Sequence, residues 1–375
     1  MTRFRTSIGL MSGTSLDGVD VALLVTDGDE IAEFGASKTY PYAESDRALL
    51  RCATLDAVSL ADRNARPGAL AQAEALVTRR HAEAVEAFLR DFGIGAADID
   101  LVGFHGQTVF HDPARALTVQ LGAGQDLADR LSIATVWDFR ANDVAAGGQG
   151  APLAPVFHRA LAAKAGLAGP VVFLNLGGVA NITYVGPGGD LVAFDTGPAN
   201  SLLDDWTRAR LGQPFDAGGR LAARGSPSAE ATERLLSHAY FSRPPPKSLD
   251  RNAFADADLS GLSDADGAAT LVRFTALAVA AARRHLPAAP TAWYVSGGGR
   301  MNDELVRVIR ETLDGAEVQS LEMLGFDGDA TEAQAFAFLA VRSIDGKPLS
   351  YPMTTGVPRP LSGGRLSQPG KQSLT

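Results

Sequence analysis

One cysteine, Cys52, stands in 375 residues, so no disulfide can form within the chain and a reducing, cytoplasmic setting is the simplest home. No activating base neighbours it, which makes Cys52 a small buried hydrophobe rather than a nucleophile. Positive charge is also short: 34 Lys and Arg against 43 Asp and Glu leave a formal charge of −9. A nucleic-acid or anionic-membrane surface needs clustered cations, so neither partner is expected. ATP stays open, because backbone amides and a metal ion can hold phosphates. Nowhere do roughly 18 apolar residues run together, the longest such stretch being alanine-rich at 276–282, and no signal-peptide core follows MTRFRTS.

What the chain does have is glycine, 40 residues of it, much of it placed where strands end. The stretch SIGLMSGTSLDGVD, 7–20, breaks a short apolar strand at a hydroxyl-rich turn and returns at once as another strand. Gly13 permits close approach of a ligand, Thr14 and Ser15 add donors, and Asp17-Gly18 is a hairpin signal. A P-loop would need Lys-Ser/Thr after its last glycine, and a dinucleotide loop would open a helix. The stretch does neither, so it reads as a phosphate cradle or as a plain tight hairpin.

Strands are expected over 7–11, 19–26 and 30–39 as an antiparallel meander, followed by an amphipathic helix over 68–92. A buried strand at 99–104 ends in the polar cluster His105-Gly106-Gln107-Thr108, the position where open α/β sheets put ligands. After a helix near 126–131 and a strand at 133–137, the glycine- and proline-bearing segment 144–152 reads as a hinge. The pattern of three strands pinched at small residues then returns at 170–176, 180–185 and 190–194, an architectural repeat without sequence identity. Residues 213–265 carry no strong period. A helix over 268–286, a strand at 291–295 opening on Ser296-Gly297-Gly298-Gly299, a helix over 303–313, a strand at 316–321 and a helix over 332–342 complete the second unit. The tail from Ser350 reads as loop. These features imply an α/β chain of two domains, 1–136 with about 350–375, and 137–349.

Eight motifs carry a resemblance: GLMSGTSLDGVD at 9–20, HGQTVFHDP at 105–113, DFRANDVAAGGQGAPLAP at 138–155, NLGGVANIT at 175–183, FDTGPAN at 194–200, PPKSLDR at 245–251, VSGGGRMN at 295–302 and EAQAFAFLA at 332–340. With them the chain resembles the acetate/sugar kinase, Hsp70 and actin superfamily, and within it the anhydro-N-acetylmuramic acid kinase family. The resemblance implies two actin-like, RNase H-like ATPase domains with a nucleotide cleft between them. It implies an enzyme of murein recycling that takes 1,6-anhydro-N-acetylmuramic acid, ATP and water to N-acetylmuramic acid 6-phosphate and ADP.

The implied nucleotide residues are Gly13, Thr14, Ser15, Leu16, Asp17, Gly18, Val19, Asp20, Asn175, Gly177, Gly178, Gly297, Gly298, Gly299 and Asn302, with Mg²⁺ arriving on ATP and Asp17, Asp20 and Asp195 as the candidate carboxylates for it. Asp195 matches the family's catalytic aspartate, against the plain alternative of a helix N-cap, and Glu332 is a second candidate carboxylate. His105, Gln107, Thr108, Gln120, Arg140 and Asp143 supply donors and acceptors suited to an amino sugar, with Arg140 set against the lactyl carboxylate. Arg140-Ala141-Asn142 departs from the run of arginines that relatives carry there, and Leu249-Asp250 replaces a Thr-Gly; the first departure puts the Arg140 assignment in question. A zinc site at His105 and His111 lacks further ligands. Lys247 reads equally as a phosphate contact or a solvated loop lysine. The expected partner is a small anhydro-amino-sugar, and a homodimer is compatible with the sequence. The competing reading is an ATPase switch acting on a protein, which would have no use for the polar segments 105–113 and 138–143.

Overall fold

The computed structural model of the chain describes residues 3–250, 253, 254 and 256–370. Arg251, which ends the PPKSLDR motif, and residues 371–375 of the tail lie outside the described residues.

In chain order the strands and helices are β1 (Arg5–Ser12), β2 (Gly18–Thr26), β3 (Ile31–Pro41), α1 (Glu44–Ala57), α2 (Leu70–Phe92), β4 (Leu101–Asp112), β5 (Leu117–Leu121), α3 (Gly124–Leu131), β6 (Thr135–Trp137), α4 (Ala141–Ala145), α5 (Pro155–Lys164), β7 (Val171–Leu176), β8 (Val179–Val185), β9 (Leu191–Pro198), α6 (Asn200–Leu211), α7 (Ala229–Leu236), α8 (Asp264–Ala282), β10 (Ala292–Ser296), α9 (Asp303–Thr312), β11 (Glu317–Ser320), α10 (Thr331–Ile344), α11 (Pro352–Thr355) and β12 (Arg365–Ser367). They form two compact units, residues 1–164 with 330–375, and residues 165–329.

The first unit's sheet has the order β12-β6-β4-β1-β2-β3, with β5 paired to β4. The second unit's sheet has the order β11-β10-β7-β8-β9. Strand for strand, β6-β4-β1-β2-β3 and β11-β10-β7-β8-β9 correspond. In each, an antiparallel meander is followed by two strands added in parallel on the side of the first. This is the actin-like, RNase H-like topology twice over, and it is the repeat expected from the sequence.

Local chemistry explains the elements that matter for the site. Along α2, Leu70, Ala73, Leu76, Val77, Ala84, Val85 and Phe88 are buried at helical spacing, and Gly93 ends the helix in the left-handed conformation at φ 65°. Burying one such large apolar side chain is worth roughly 1.5–3 kcal/mol, so this face anchors the helix. α8 begins at Ser263, whose hydroxyl accepts from the Asp266 amide. The stretch Asp264–His285 is long and apolar enough to cross a membrane by length and composition, and most of it is buried inside the second unit instead.

The division of the chain differs from the expected one. Residues 137–164 and 330–349 belong to the first unit. Gly9 and Gly103 are register partners on β1 and β4, and they leave a bare strip of sheet. A Cβ on Gly9 would lie 1.7 Å from the Ala333 carbonyl oxygen, and one on Gly103 would lie 2.1 Å from that of Phe336. The α10 backbone therefore rests directly on the first sheet. α5 joins it through Phe157 and Phe338, whose rings are 5.5 Å apart. Segment 144–152 is not where the units divide: its Gln149 amide donates to the Thr355 carbonyl at 2.6 Å, inside the first unit. Cys52 corrects a second expectation, for it sits exposed on α1. α1 and β5 carried no clear pattern in the sequence. α1 buries only Asp46, Leu50, Ala53 and Ala57, and β5 is five residues long.

Candidate functional site

In the first unit, β1 ends in the turn 13–17. Thr14 and Ser15 are exposed, while Leu16 turns its side chain inward at φ 57°, a left-handed conformation unusual for a branched residue. Asp17 organises the turn, its Oδ1 accepting from the Ser15 hydroxyl and from the Gly18 amide, each at 3.0 Å. Gly18 is demanded by β3, since a Cβ there would meet the Tyr40 carbonyl at 2.5 Å. Val19 is buried in β2, and Asp20 Oδ1 accepts from the Thr39 hydroxyl at 2.5 Å.

The residues expected to face the sugar lie on β4, β5 and α4 of the same unit. β4 is longer than expected and runs through His105, Gln107 and Thr108. Gln107 donates to the Gly13 carbonyl at 3.1 Å, tying β4 to the turn 13–17, while its buried Oε1 has no partner among the described residues. Thr108 and Gln120 are register partners on β4 and β5. The Gln120 amide donates to the hydroxyls of Thr108 and Thr118, and its Oε1 also lacks a partner among the described residues.

His105 is buried against the Phe336 ring, with ring centres 4.6 Å apart. Its Nδ1 faces the Gly106 carbonyl at 2.8 Å and its Nε2 accepts from Arg140 Nε and Nη2 at 3.2 and 3.0 Å. Burial first, then Arg140, holds His105 well below its ordinary value, so it is neutral. Burial lowers the Arg140 guanidinium to about 10, still charged at neutral pH. Arg140 Nη1 donates to the Gly150 carbonyl at 2.8 Å, which leaves two of its five N–H groups for another acceptor. His111 bonds within the fold, to the Thr118 hydroxyl and the Gln149 carbonyl.

Asp143 does not offer its carboxylate outward. Oδ1 accepts from the Gly150 amide and Oδ2 from the Thr355 hydroxyl, both at 2.6 Å, so Asp143 braces the loop that carries Arg140's partner. Sequence reasoning missed Thr355, for nothing marks a threonine 212 residues away as a partner.

Glu332 opens α10 and belongs to the first unit, where its charge faces Arg140, Asp20 and Asp17. Glu332 is itself exposed to solvent; nearby protein raises its carboxyl above the ordinary value, Arg140 opposes the rise, and Asp20 and Asp17 add to it. Among the described residues, no group of three or more His, Cys, Asp or Glu could hold a metal ion.

In the second unit, Asp195 sits half-buried in β9. It is not a helix cap: α6 begins at Asn200 behind Ala199. Three contacts from residues 240–249 hold it. The Tyr240 hydroxyl donates to the Asp195 carbonyl at 2.5 Å, the Asp195 amide donates to the Lys247 carbonyl at 3.0 Å, and the Leu249 amide donates to Oδ2 at 2.7 Å. Burial raises the carboxyl to about 7, against the Leu249 bond and the Lys247 charge, which both lower it. Lys247 is not a solvated loop lysine. It is buried, donates to the Tyr240 carbonyl at 3.2 Å, and lies 4.5 Å over that residue's ring.

Two glycine turns adjoin in this unit. The amides of Ala199 and Asn200 pin the Gly177-Gly178 turn at 3.0 Å each. Asn175 is the register partner of Ser296, and a Cβ on Gly297 would meet Asn175 Oδ1 at 2.2 Å. Gly299 is equally crowded, by the Leu176 side chain at 2.7 Å. Asn302 caps α9, its Oδ1 accepting from the Leu305 amide at 2.9 Å. Gly13, Gly177, Gly178 and Gly298 are different. A Cβ on any of them would meet no protein atom closer than 3.4 Å, and none has a positive φ. The fold does not require glycine there, whereas a ligand lying against backbone would.

The sequence model of the anhydro-N-acetylmuramic acid kinase family matches residues 5–368. The chain is 54% identical over 364 residues to the anhydro-N-acetylmuramic acid kinase of Rhodopseudomonas palustris, covering 97% of this chain and 99% of that one. It is 51% identical over 364 residues to the enzyme of the same name from Nitrobacter winogradskyi, covering 97% and 100%. Against that of Methylobacterium nodulans it is 52% identical over 373 residues, covering 97% and 100%. With a profile match across nearly the whole chain and relatives matched end to end, this protein belongs to the anhydro-N-acetylmuramic acid kinase family.

Proposed function

We propose that this chain opens 1,6-anhydro-N-acetylmuramic acid with water and transfers the γ-phosphoryl group of ATP to the released O6, giving N-acetylmuramic acid 6-phosphate and ADP. The observation that carries the mechanism is Asp195, a strand-held carboxylate with three fixed contacts and its proton poised near neutral pH. Asp195 takes a proton from the water that attacks the anomeric carbon. The bond from that carbon to O6 breaks, and O6 attacks the γ-phosphorus as ADP leaves. The proton held by Asp195 then passes to solvent.

Gly13, Gly177, Gly178 and Gly298, whose backbone is bare of side-chain cover, and the exposed Thr14 and Ser15 are the proposed contacts to the nucleotide. Arg140, oriented by His105, offers its two remaining N–H groups to the lactyl carboxylate. Gln107 and Gln120 offer unpaired acceptors to sugar hydroxyl or amide donors. A Mg²⁺ brought by ATP would draw on Asp17 and Asp20, directly or through water, since the described residues hold no preformed cluster of metal ligands. That ion would neutralise phosphate charge. A cytoplasmic location suits the single, exposed cysteine and the supply of ATP.

The test is ADP release by purified protein with ATP, Mg²⁺ and the anhydro-sugar. Turnover should require the sugar, and Asp195→Asn should lower kcat by about 10³-fold or more while nucleotide binding persists. An Asp195→Asn variant with wild-type turnover would remove Asp195 from the role of base.

A further inference from the structure

We propose that Lys247 is a positioning residue for Asp195: its backbone carbonyl fixes the aspartate's amide, and its buried ammonium, seated on Tyr240, supplies the compensating charge that keeps the carboxylate available as a base. The proposal rests on the reading of Asp195 as the base.

Tyr240 joins the two residues. Its hydroxyl donates to the Asp195 carbonyl, its own carbonyl accepts from Lys247 Nζ, and its ring lies 4.5 Å beneath that ammonium. The Phe194 ring, one residue before Asp195, lies 5.9 Å from the same nitrogen. Aromatic faces attract a cation without neutralising it. Lys247 also borders a cavity of about 10 Å³, with Thr196, Phe241 and His285 on its walls, enough for one water to serve a further N–H. A lysine 5% exposed with this little direct bonding is costly to bury. Its place is therefore unexplained by packing alone, and no ion pair within 4 Å joins it to Asp195, so the two charges act through space.

The other charged groups around the pair do not account for the effect. Arg243 lies 5.8 Å over the Tyr240 ring. Arg284 donates to the Phe241 carbonyl and to His285, and both it and Arg243 act on Lys247 as like charges. His285, its ring edge-on to Phe194 at 5.7 Å, is held below its ordinary value by burial, Arg284 and Lys247, so it is neutral at pH 7. Asp250 follows in the same loop. Burial, Arg284 and Arg243 lower Lys247 to about 8, while Asp195 opposes them; the ammonium is thus charged where Asp195 ionises, at about 7.

The experiment is the pH profile of kcat for wild type, Lys247→Met and Lys247→Arg, with KM for ATP and melting temperature measured beside it. Methionine keeps the bulk and the backbone contact and removes the charge. The acidic limb of Lys247→Met should move up by about one pH unit, a roughly ten-fold loss at pH 6 that is recovered at high pH, with KM for ATP unchanged. Lys247→Arg should return the limb to its wild-type position. If Lys247→Met does not fold, Lys247→Gln reads the same limb. A folded, uncharged variant whose limb stays in place overturns the proposal, and a uniform loss at every pH does the same by showing a merely structural lysine. Asp195→Asn separates the two readings. If it retains turnover, the base assignment and this proposal both fall; if it is inactive and the limb of Lys247→Met is unmoved, only this proposal falls.

Discussion

A base accepts a proton with most driving force when its pKa lies near the working pH, and burial raises Asp195 from its ordinary value of 3.8 to about 7. Below pH 3.8 the residue is neutral in folded and unfolded chains alike. As pH rises from there to about 7 the unfolded chain ionises first, so this residue's contribution to stability falls and is gone above about 7. Asp195→Asn should therefore leave the melting temperature unchanged near pH 4 and raise it by a few degrees at pH 8, while abolishing turnover. Differential scanning calorimetry at both pH values checks this, and a lower melting temperature at pH 8 would contradict it. For Arg140, replacement by lysine keeps charge and loses the fork that His105 aligns. The expected result is a KM for the sugar raised about ten-fold with KM for ATP unchanged. Asp195 was marked in the sequence by the FDTGPAN motif of the family the chain resembles, although the strand expected to stop at residue 194 runs through it to Pro198. Its supports were not: Tyr240 and Leu249 lie 45 and 54 residues away in a stretch without periodicity. Asp143 looked like a sugar ligand in the sequence, since nothing there foretold that Gly150 and Thr355 would occupy both its oxygens.

Glycines divide by element into those the fold needs and those it leaves bare. Gly103 carries the α10 backbone, with the Phe336 carbonyl 2.1 Å from where a Cβ would stand. Gly103→Ala should cost about 3 kcal/mol or prevent folding, as read by denaturant unfolding. Gly298 has no heavy atom within 4 Å of that point, so Gly298→Ala should melt within about 1 °C of wild type. Its KM for ATP should nevertheless rise about ten-fold, because the added methyl occupies space meant for the nucleotide. A Gly298→Ala enzyme with normal KM would remove this turn from the site. Sequence alone marked three glycine-rich turns by composition and strand position. It could not separate Gly297 and Gly299, crowded by Asn175 and Leu176, from Gly298 between them. It did place Glu332 at a helix start, yet it gave that helix to the wrong unit, because a strip of bare sheet at Gly9 and Gly103 has no signature in a single strand.

At the scale of the whole molecule, two sheets of the same strand order carry different sets of side chains. The first unit, built from both ends of the chain, holds the 13–17 turn, Arg140, His105 and Glu332. The second holds Asp195 with its Tyr240–Lys247–Leu249 setting and two glycine turns. The repeat was visible in the sequence as recurring strand lengths with small residues at each hairpin. The boundaries were not, since the glycine-rich segment 144–152 looks like a linker and is in fact tied to Thr355. The two functional readings that the fold admits, an anhydro-sugar kinase and a protein-regulated ATPase switch, separate in one assay. Purified protein is incubated with ATP and Mg²⁺, with and without 1,6-anhydro-N-acetylmuramic acid, and ADP and sugar phosphate are counted together. ADP and N-acetylmuramic acid 6-phosphate should form in equal amounts, and only when the anhydro-sugar is present. ADP released at the same rate without the sugar, and no phosphorylated sugar with it, would contradict the kinase reading.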